Sequence, residues 1–368
     1  MFNDFFLGKR VLVTGVTGVK GTWLALELLD AGSTVVGVDI SQLDGSSAFE
    51  AAGLKSATQF VRGDVTDLEI MCELTADVEC VFHLAAVSLV GDARRRPLDT
   101  YRINTLGTAT LLEAVRLSKS TKFVVIATTD KVYRPSPGRA AVESDPLFAS
   151  GPYPISKACA EHIIADYHRT YLALDGKHVG VGRSGNVIVG GDFHSSQQTG
   201  GAGRLFVDCF DALSTGRTPE VFNPQQWRAY VYGLDAIVGY MALMSRLESQ
   251  EVDGQPFNFG PLENEAVRND ALVAKICEIW GGQSKWNAGS PRAEPFECEM
   301  ISSAKSRRLL GWEPAYSLND TLVDTARWYN GWADIRTVGR CNTMTEVNAE
   351  LIRKHRSAAE RRGLWWTY

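Results

Sequence analysis

Up to about residue 190 this chain alternates short β-branched apolar runs with helical stretches, and no other feature constrains its fold as much. Val11-Leu12-Val13, Val35-Val36-Gly37-Val38-Asp39, Phe60-Val61-Arg62-Gly63-Asp64, Cys80-Val81-Phe82-His83-Leu84 and Phe123-Val124-Val125-Ile126-Ala127 have the length and composition of buried strands. Residues 23–29 and 107–117 carry helical character between them. Such alternation builds βαβ units, so the expected architecture is α/β: a doubly wound parallel sheet of the Rossmann type. Beyond residue 190 the pattern loosens into loops rich in Gly, Ser, Gln and Pro, through 203, and helical stretches return at 207–213 and 234–247. That part reads as a smaller, loop-rich lobe interleaved with the sheet.

Composition narrows the class. A content of 45% hydrophobic residues and a formal net charge of -5 describe an ordinary soluble protein and argue against nucleic acid as a partner. No apolar run approaches the roughly eighteen residues of a membrane helix, and the opening Met1-Phe2-Asn3-Asp4-Phe5-Phe6-Leu7 lacks the basic start of a signal peptide. Seven scattered cysteines without a C-x-x-C pair read as reduced thiols of a cytoplasmic protein, with neither disulfides nor a metal expected.

The first strand runs into Thr14-Gly15-Val16-Thr17-Gly18-Val19-Lys20-Gly21, with glycines spaced G-x-x-G-x-x-G ahead of a helix. Glycine permits the tight turn and the close approach of backbone to a pyrophosphate, which then sits on the helix N-terminus. Asp39 ends the second strand, where a carboxylate accepts hydrogen bonds from an adenosine ribose and repels a 2′-phosphate. The expected cofactor is therefore NAD rather than NADP. Asp64, after the third strand, is placed to reach the adenine amino group, or simply to form its own turn. Ala85 and Ala86 are small enough to let a cofactor lie against the sheet. His83 reads as a buried, hydrogen-bonded histidine and is not assigned to catalysis.

Chemistry concentrates where the fifth strand ends. Thr128-Thr129-Asp130-Lys131-Val132-Tyr133 brings a hydroxyl, a carboxylate and an amine to a strand terminus, and Tyr153 and Lys157 lie one helical turn apart. Pro154 is expected at the first position of that helix. An ammonium beside the phenol, with the positive charge of an oxidised nicotinamide, favours phenolate, so Tyr153 is expected to be acidic enough to act as a base.

These motifs, with Phe49-Glu50-Ala51-Ala52-Gly53-Leu54, Asn104-Thr105-Leu106-Gly107-Thr108, Arg183-Ser184-Gly185-Asn186-Val187-Ile188 and Leu310-Gly311-Trp312-Glu313-Pro314, occur in an order that resembles the extended short-chain dehydrogenases/reductases. Within that superfamily the chain is similar to the nucleotide-sugar 4,6-dehydratases, and lysine at position 131 matches the CDP-glucose type. The resemblance implies that Tyr153 takes a proton from a sugar C4 hydroxyl and that Thr129 orients the C4 oxygen. Oxidation at C4 makes the C5 proton acidic, and loss of the C6 hydroxyl then requires an acid, for which Asp130 is the implied candidate. Lys131 is either a base that removes the C5 proton or a cation that stabilises the enolate. The likeness spans about residues 8–333. It implies an NAD-binding Rossmann domain over 1–190 with interleaved later segments, a lobe mainly over 191–333 that binds a nucleotide-diphosphate sugar, and an extension over 334–368. It implies cofactor contacts from Gly15, Thr17, Gly18, Val19 and Gly21 in the turn. Further cofactor contacts are implied from Asp39, Asp64, Val65, Leu84, Ala85, Ala86 and Asn104, together with Tyr153 and Lys157. Substrate contacts are implied from Ser88, Asn186, Arg204 and Arg228, the last because guanidinium suits a diphosphate. Val87-Ser88 stands where the family usually has Gln, and Arg228-Ala229-Tyr230-Val231-Tyr232 where it usually has Arg-Pro-Trp-Gln-His. The resemblance also implies a homodimer formed by helices near 98–118 and 154–172, with Ile163, Ile164, Tyr167 and Tyr171 as an apolar stripe.

Overall fold

The computed structural model describes residues 2–45, 47–134, 138–195, 203–262, 265–281, 285–289, 300–338 and 344–364. Six strands form in chain order before residue 185: β1 (Arg10–Thr14), β2 (Thr34–Asp39), β3 (Gln59–Arg62), β4 (Cys80–His83), β5 (Phe123–Thr129) and β6 (His178–Ser184). With Pro256–Phe259 they make a seven-stranded sheet in the order Pro256–Phe259, β6, β5, β4, β1, β2, β3, parallel throughout. The winding direction reverses between β1 and β4, which opens a crevice at the carboxyl ends of the strands.

The pleat divides the core in two. Val11 and Val13 of β1 join the cluster on one face, while Leu12 between them joins the cluster on the other. One face is covered by helices Val19–Asp30 and Gly233–Ser245, the second buried at every residue from Gly233 to Met244. The other face is covered by helices Leu68–Thr75, Gly107–Leu117 and Pro152–Tyr167. Burial on both faces explains why the strands read as continuous apolar runs.

Several boundaries differ from the sequence reading. β5 runs two residues further, to Thr129, because Thr128 and Thr129 pair with Arg183 and Ser184 of β6. β3 stops at Arg62, so Gly63 and Asp64 belong to the following turn. The helix carrying Tyr153 and Lys157 starts at Pro152 after Gly151 at φ 92°, so Pro152, not Pro154, takes its first position. The stretch near 234–247 packs on β5 and β6 rather than in the lobe, and Pro256–Phe259 is an edge strand of the main sheet.

The lobe itself is a three-stranded sheet, Ala266–Arg268, Trp227–Tyr232 and Asn186–Ile188, with helices Leu205–Ser214 and Asn269–Gly281. Asn186–Ile188 follows β6 after the single residue Gly185, which ties the lobe to the sheet. The expected loop from 190 to 203 falls partly, at 196–202, outside the described residues. The boundary at 334 cuts the helix Leu318–Val338, and a further helix, Thr345–Arg361, docks on the same side. Residues 339–343 and 365–368 of the expected extension lie outside the described residues. Among the described residues no helix is long and apolar enough to cross a membrane.

Candidate active site

A cavity of about 980 Å³ lies at the carboxyl ends of the strands and reaches into the lobe. The glycine turn forms one wall. Gly15 adopts φ 69°, and a Cβ there would come within 2.7 Å of the Ala85 backbone nitrogen. A Cβ on Gly21 would stand 2.2 Å from the Gly15 carbonyl oxygen, so the helix meets the turn at a distance only glycine allows. Thr17, Gly18, Val19, Val65, Leu84, Ala85 and Ala86 line the same wall. Asp39 accepts from the Thr17 backbone N–H at 3.2 Å and from the Ser41 hydroxyl at 2.9 Å while facing the cavity. Asp64 accepts from the Thr66 N–H and hydroxyl, both at 2.9 Å, and pairs with Arg102 at 3.3 Å. It thus forms its own turn and still borders the cavity. Asn104 stands behind the wall. Fully buried, it accepts from Val87 N–H at 2.8 Å and donates to the Ser156 hydroxyl at 2.9 Å, so it braces the loop that follows β4. His83 is buried between Thr14, at 2.8 Å, and Thr108, at 3.2 Å, and burial chiefly, with the Lys157 charge, pushes it down to about 3.

Thr129, Asp130, Lys131, Tyr153 and Lys157 meet at the far end of the same cavity. The Thr129 hydroxyl donates to Asp130 Oδ1 at 2.9 Å, and Tyr153 lines the cavity with them. Lys131 Nζ lies 3.7 Å from Asp130 Oδ1 and donates to Asn186 Oδ1 at 3.4 Å. Lys157 Nζ donates to the Ala127 carbonyl at 2.9 Å. Here one expectation is corrected. Burial raises the Tyr153 pKa above the ordinary tyrosine value, and the Thr129 hydrogen bond and the Lys131 charge only partly offset it. Lys157 is itself pushed down to about 8, by burial and then by the nearby Lys20 charge, so the chain alone does not make Tyr153 a phenolate.

The substrate candidates Ser88, Asn186, Arg204 and Arg228 all border the cavity. Asn186 donates to the Ala229 carbonyl at 3.2 Å. Arg204 pairs at 2.5 Å with Asp192, whose carboxyl is held at about 2 because the Arg204 and His194 contacts outweigh the effect of burial. Arg228, on the strand Trp227–Tyr232, reaches Gln226 at 3.5 Å.

Sequence reasoning missed Lys20. Its ammonium donates to the Ser184 hydroxyl at 2.6 Å and to Tyr240 at 3.2 Å, and it faces the cavity. Burial first, then repulsion from Arg204, brings its pKa down to about 7 against the pull of Asp130. The only sequence signal is a lysine one residue before the third glycine of the turn. Also missed was the buried network behind the site, in which Glu161 receives Thr128 at 2.7 Å and Arg183 at 3.0 Å and locks the helix Pro152–Tyr167 to β5 and β6.

Residues 12–325 match the family model described as GDP-mannose 4,6 dehydratase. The chain belongs to that family. A similar relative is CDP-glucose 4,6-dehydratase of Salmonella typhimurium, 32% identical over 344 residues, with 90% of this chain and 93% of the relative covered. UDP-glucose 4-epimerase of Mycolicibacterium smegmatis is 27% identical, with 87% and 98% covered. Among solved structures, dTDP-glucose 4,6-dehydratase of Streptomyces venezuelae with NAD and TYD bound superposes with a TM-score of 0.75 at 24% identity, covering 88% of this chain and 98% of that one. Membership of the GDP-mannose 4,6 dehydratase family agrees with the parallel sheet, its switch-point crevice and the position of the Tyr153–Lys157 helix.

Proposed function

We propose that this protein, an NAD-dependent nucleotide-sugar 4,6-dehydratase, converts CDP-glucose to the corresponding 4-keto-6-deoxy sugar nucleotide. The observation that carries the reading is Asp130: 2% exposed, bonded to Thr129 and facing the cavity beside Lys131. Exchange of configuration at C4 requires only oxidation and re-reduction at that carbon, so an epimerase has no use for a buried acid there. Loss of the C6 hydroxyl does require one. The choice of CDP-glucose rests on Lys131 and on the 32% identical relative of that name.

NAD fits the turn, since Gly15, Thr17, Gly18, Val19 and Gly21 line the cavity where the helix Val19–Asp30 begins, and Asp39 faces the cavity with Thr17 and Ser41 as its hydrogen-bond donors. Held there, it would supply the hydride acceptor for C4 and the hydride donor for C6. The rest is the work of side chains. Tyr153 takes the C4 hydroxyl proton once the cofactor charge offsets the burial that raises its pKa. Thr129 orients the C4 oxygen. Lys131 removes the C5 proton as a neutral amine or stabilises the enolate as a cation, and Asp130 protonates the departing C6 hydroxyl. Arg204 and Arg228 hold the diphosphate.

Incubating the protein with a panel of nucleotide-glucoses and reading the alkali-induced absorbance of a 4-keto sugar tests this reading, with CDP-glucose expected to be turned over best. Asp130→Asn isolates the elimination: on mixing with substrate it should accumulate the absorbance of reduced nicotinamide while releasing little product. A product rate like that of the wild type would remove Asp130 from the reaction. Loss of both signals would make it a positioning residue instead.

A further inference from the structure

Asp192 is 1% exposed and holds two side chains that line the cavity, Arg204 and His194. Its Oδ2 accepts from Arg204 Nη1 at 2.5 Å. Its Oδ1 lies 2.7 Å from His194 Nδ1 and accepts the His194 backbone N–H at 3.1 Å. Arg204 N–H also donates to the His194 carbonyl at 2.9 Å, so the two residues are tied through the backbone as well. A carboxyl held at about 2 carries no proton near neutral pH, which makes Nδ1 the donor in the imidazole contact. Among the described residues, neither His194 Nε2 nor the remaining side-chain N–H groups of Arg204 have a hydrogen-bond partner.

The carboxylate is fixed from behind. Trp23 Nε1 donates to the Gly190 carbonyl at 2.8 Å, and a Cβ on Gly190 would stand 2.1 Å from Trp328 Cγ. Phe193 packs on Trp328 and Trp332 with ring centroids 5.8 and 5.3 Å apart, and the Tyr329 hydroxyl donates to the Asp192 carbonyl. Both neighbours of Asp192 are thus pinned, directly or through Gly190, to the helix Leu318–Val338. An arginine tethered at one tip of its fork has already lost much of the rotamer freedom that binding would otherwise cost. The tips left over suit phosphate oxygens. An Arg–Asp pair alone has no net charge to offer an anion. His194 supplies the missing member, because its imidazolium donates from Nδ1 to Asp192 and from Nε2 to a second oxyanion.

We propose that Asp192 is a positioning residue that presents Arg204 and His194 as a paired clamp for the diphosphate of the sugar nucleotide. The clamp rests on the nucleotide-sugar reading above.

Calorimetry of CDP binding to the NAD-loaded protein tests it, because positioning and charge make opposite predictions for Asp192→Asn. The amide keeps the size and removes a negative charge beside the anion, so charge alone predicts tighter binding. The clamp predicts weaker binding by roughly tenfold, the scale of one charge-assisted hydrogen bond, with NAD affinity unchanged. In turnover, KM for CDP-glucose should rise while kcat changes little. His194→Ala, at a side chain 45% exposed, should also weaken CDP, and should cost less when added to Asp192→Asn than it costs alone. An Asp192→Asn protein that binds CDP as tightly as the wild type, or more tightly, would overturn the clamp. So would matching losses of CDP and NAD affinity, which mark a purely structural role. If Asp192→Asn does not fold, His194→Ala decides, and unchanged CDP affinity in that variant would overturn the clamp. A wild type that prefers UDP to CDP overturns the choice of CDP-glucose and leaves the clamp standing, to be read with UDP. One that binds no nucleoside diphosphate overturns both.

Discussion

Lys20 occupies a cavity wall where an amine has to choose between a proton and its burial. Its pKa of about 7, against 10.5 for an ordinary lysine, is set first by burial and then by Arg204, with Asp130 opposing. A folded-state value below the unfolded one means that the unfolded chain binds more protons between these limits, so this lysine destabilises the fold most below pH 7 and progressively less as pH rises toward 10.5. Replacing Lys20 with Met removes that titration. The melting temperature of the cofactor-free variant, minus that of the wild type, should therefore be largest under acidic conditions and shrink as pH rises; a difference independent of pH would refute the assignment. Motif residues close in sequence, such as Thr129, Asp130, Tyr153 and Lys157, were legible because strand ends and helical spacing bring them together. Lys20 was not, because its partners Ser184 and Tyr240 reach it only through the pairing of β5 with β6 and the helix Gly233–Ser245. The direction of the Tyr153 shift was also hidden, since burial is a property of the packed whole.

Among the elements, strands announced themselves and their ends did not. Apolar runs mark where a strand is covered on both faces, but Thr128 and Thr129 extend β5 only because β6 offers them partners. The helix Thr345–Arg361 was illegible in a different way, being largely polar and joined to the fold through side chains. Within it, Arg356 pairs with Glu27 at 2.5 Å, Asn348 accepts from Trp328 Nε1 at 2.9 Å, and the buried His355 meets Asp235 at 2.8 Å. Asp235 is fully buried and also accepts from Ala315 N–H at 2.6 Å. His355→Ala should cost about 1–3 kcal/mol of unfolding free energy, the usual penalty for leaving a buried polar group short of a partner, with kcat little changed. Denaturant melts read this directly, and an unchanged midpoint would mean that the contact contributes nothing.

For the whole molecule, we propose a homodimer. The helical segments expected at the interface carry exposed apolar side chains, Leu98 at 79%, Leu106 at 52% and Tyr171 at 42%. Of the anticipated stripe, Ile164 is buried in the subunit's own core, and the helix ends at Tyr167 before a wider turn carries Tyr171. Light scattering at micromolar protein should give twice the subunit mass, and Leu98→Glu with Leu106→Glu should give the single mass; a monomeric wild type would end the proposal. The tie between Asp235 and the later chain also has a consequence for how the protein is made. The partners of its carboxylate follow it by 80, 81 and 120 residues. At roughly ten residues per second of synthesis, the ribosome needs about ten seconds to deliver them. Throughout that delay the apolar helix Gly233–Ser245 lacks the hydrogen-bond donors that meet Asp235 in the finished fold. Burial of that helix at Asp235 is therefore complete only when the last helix has been made.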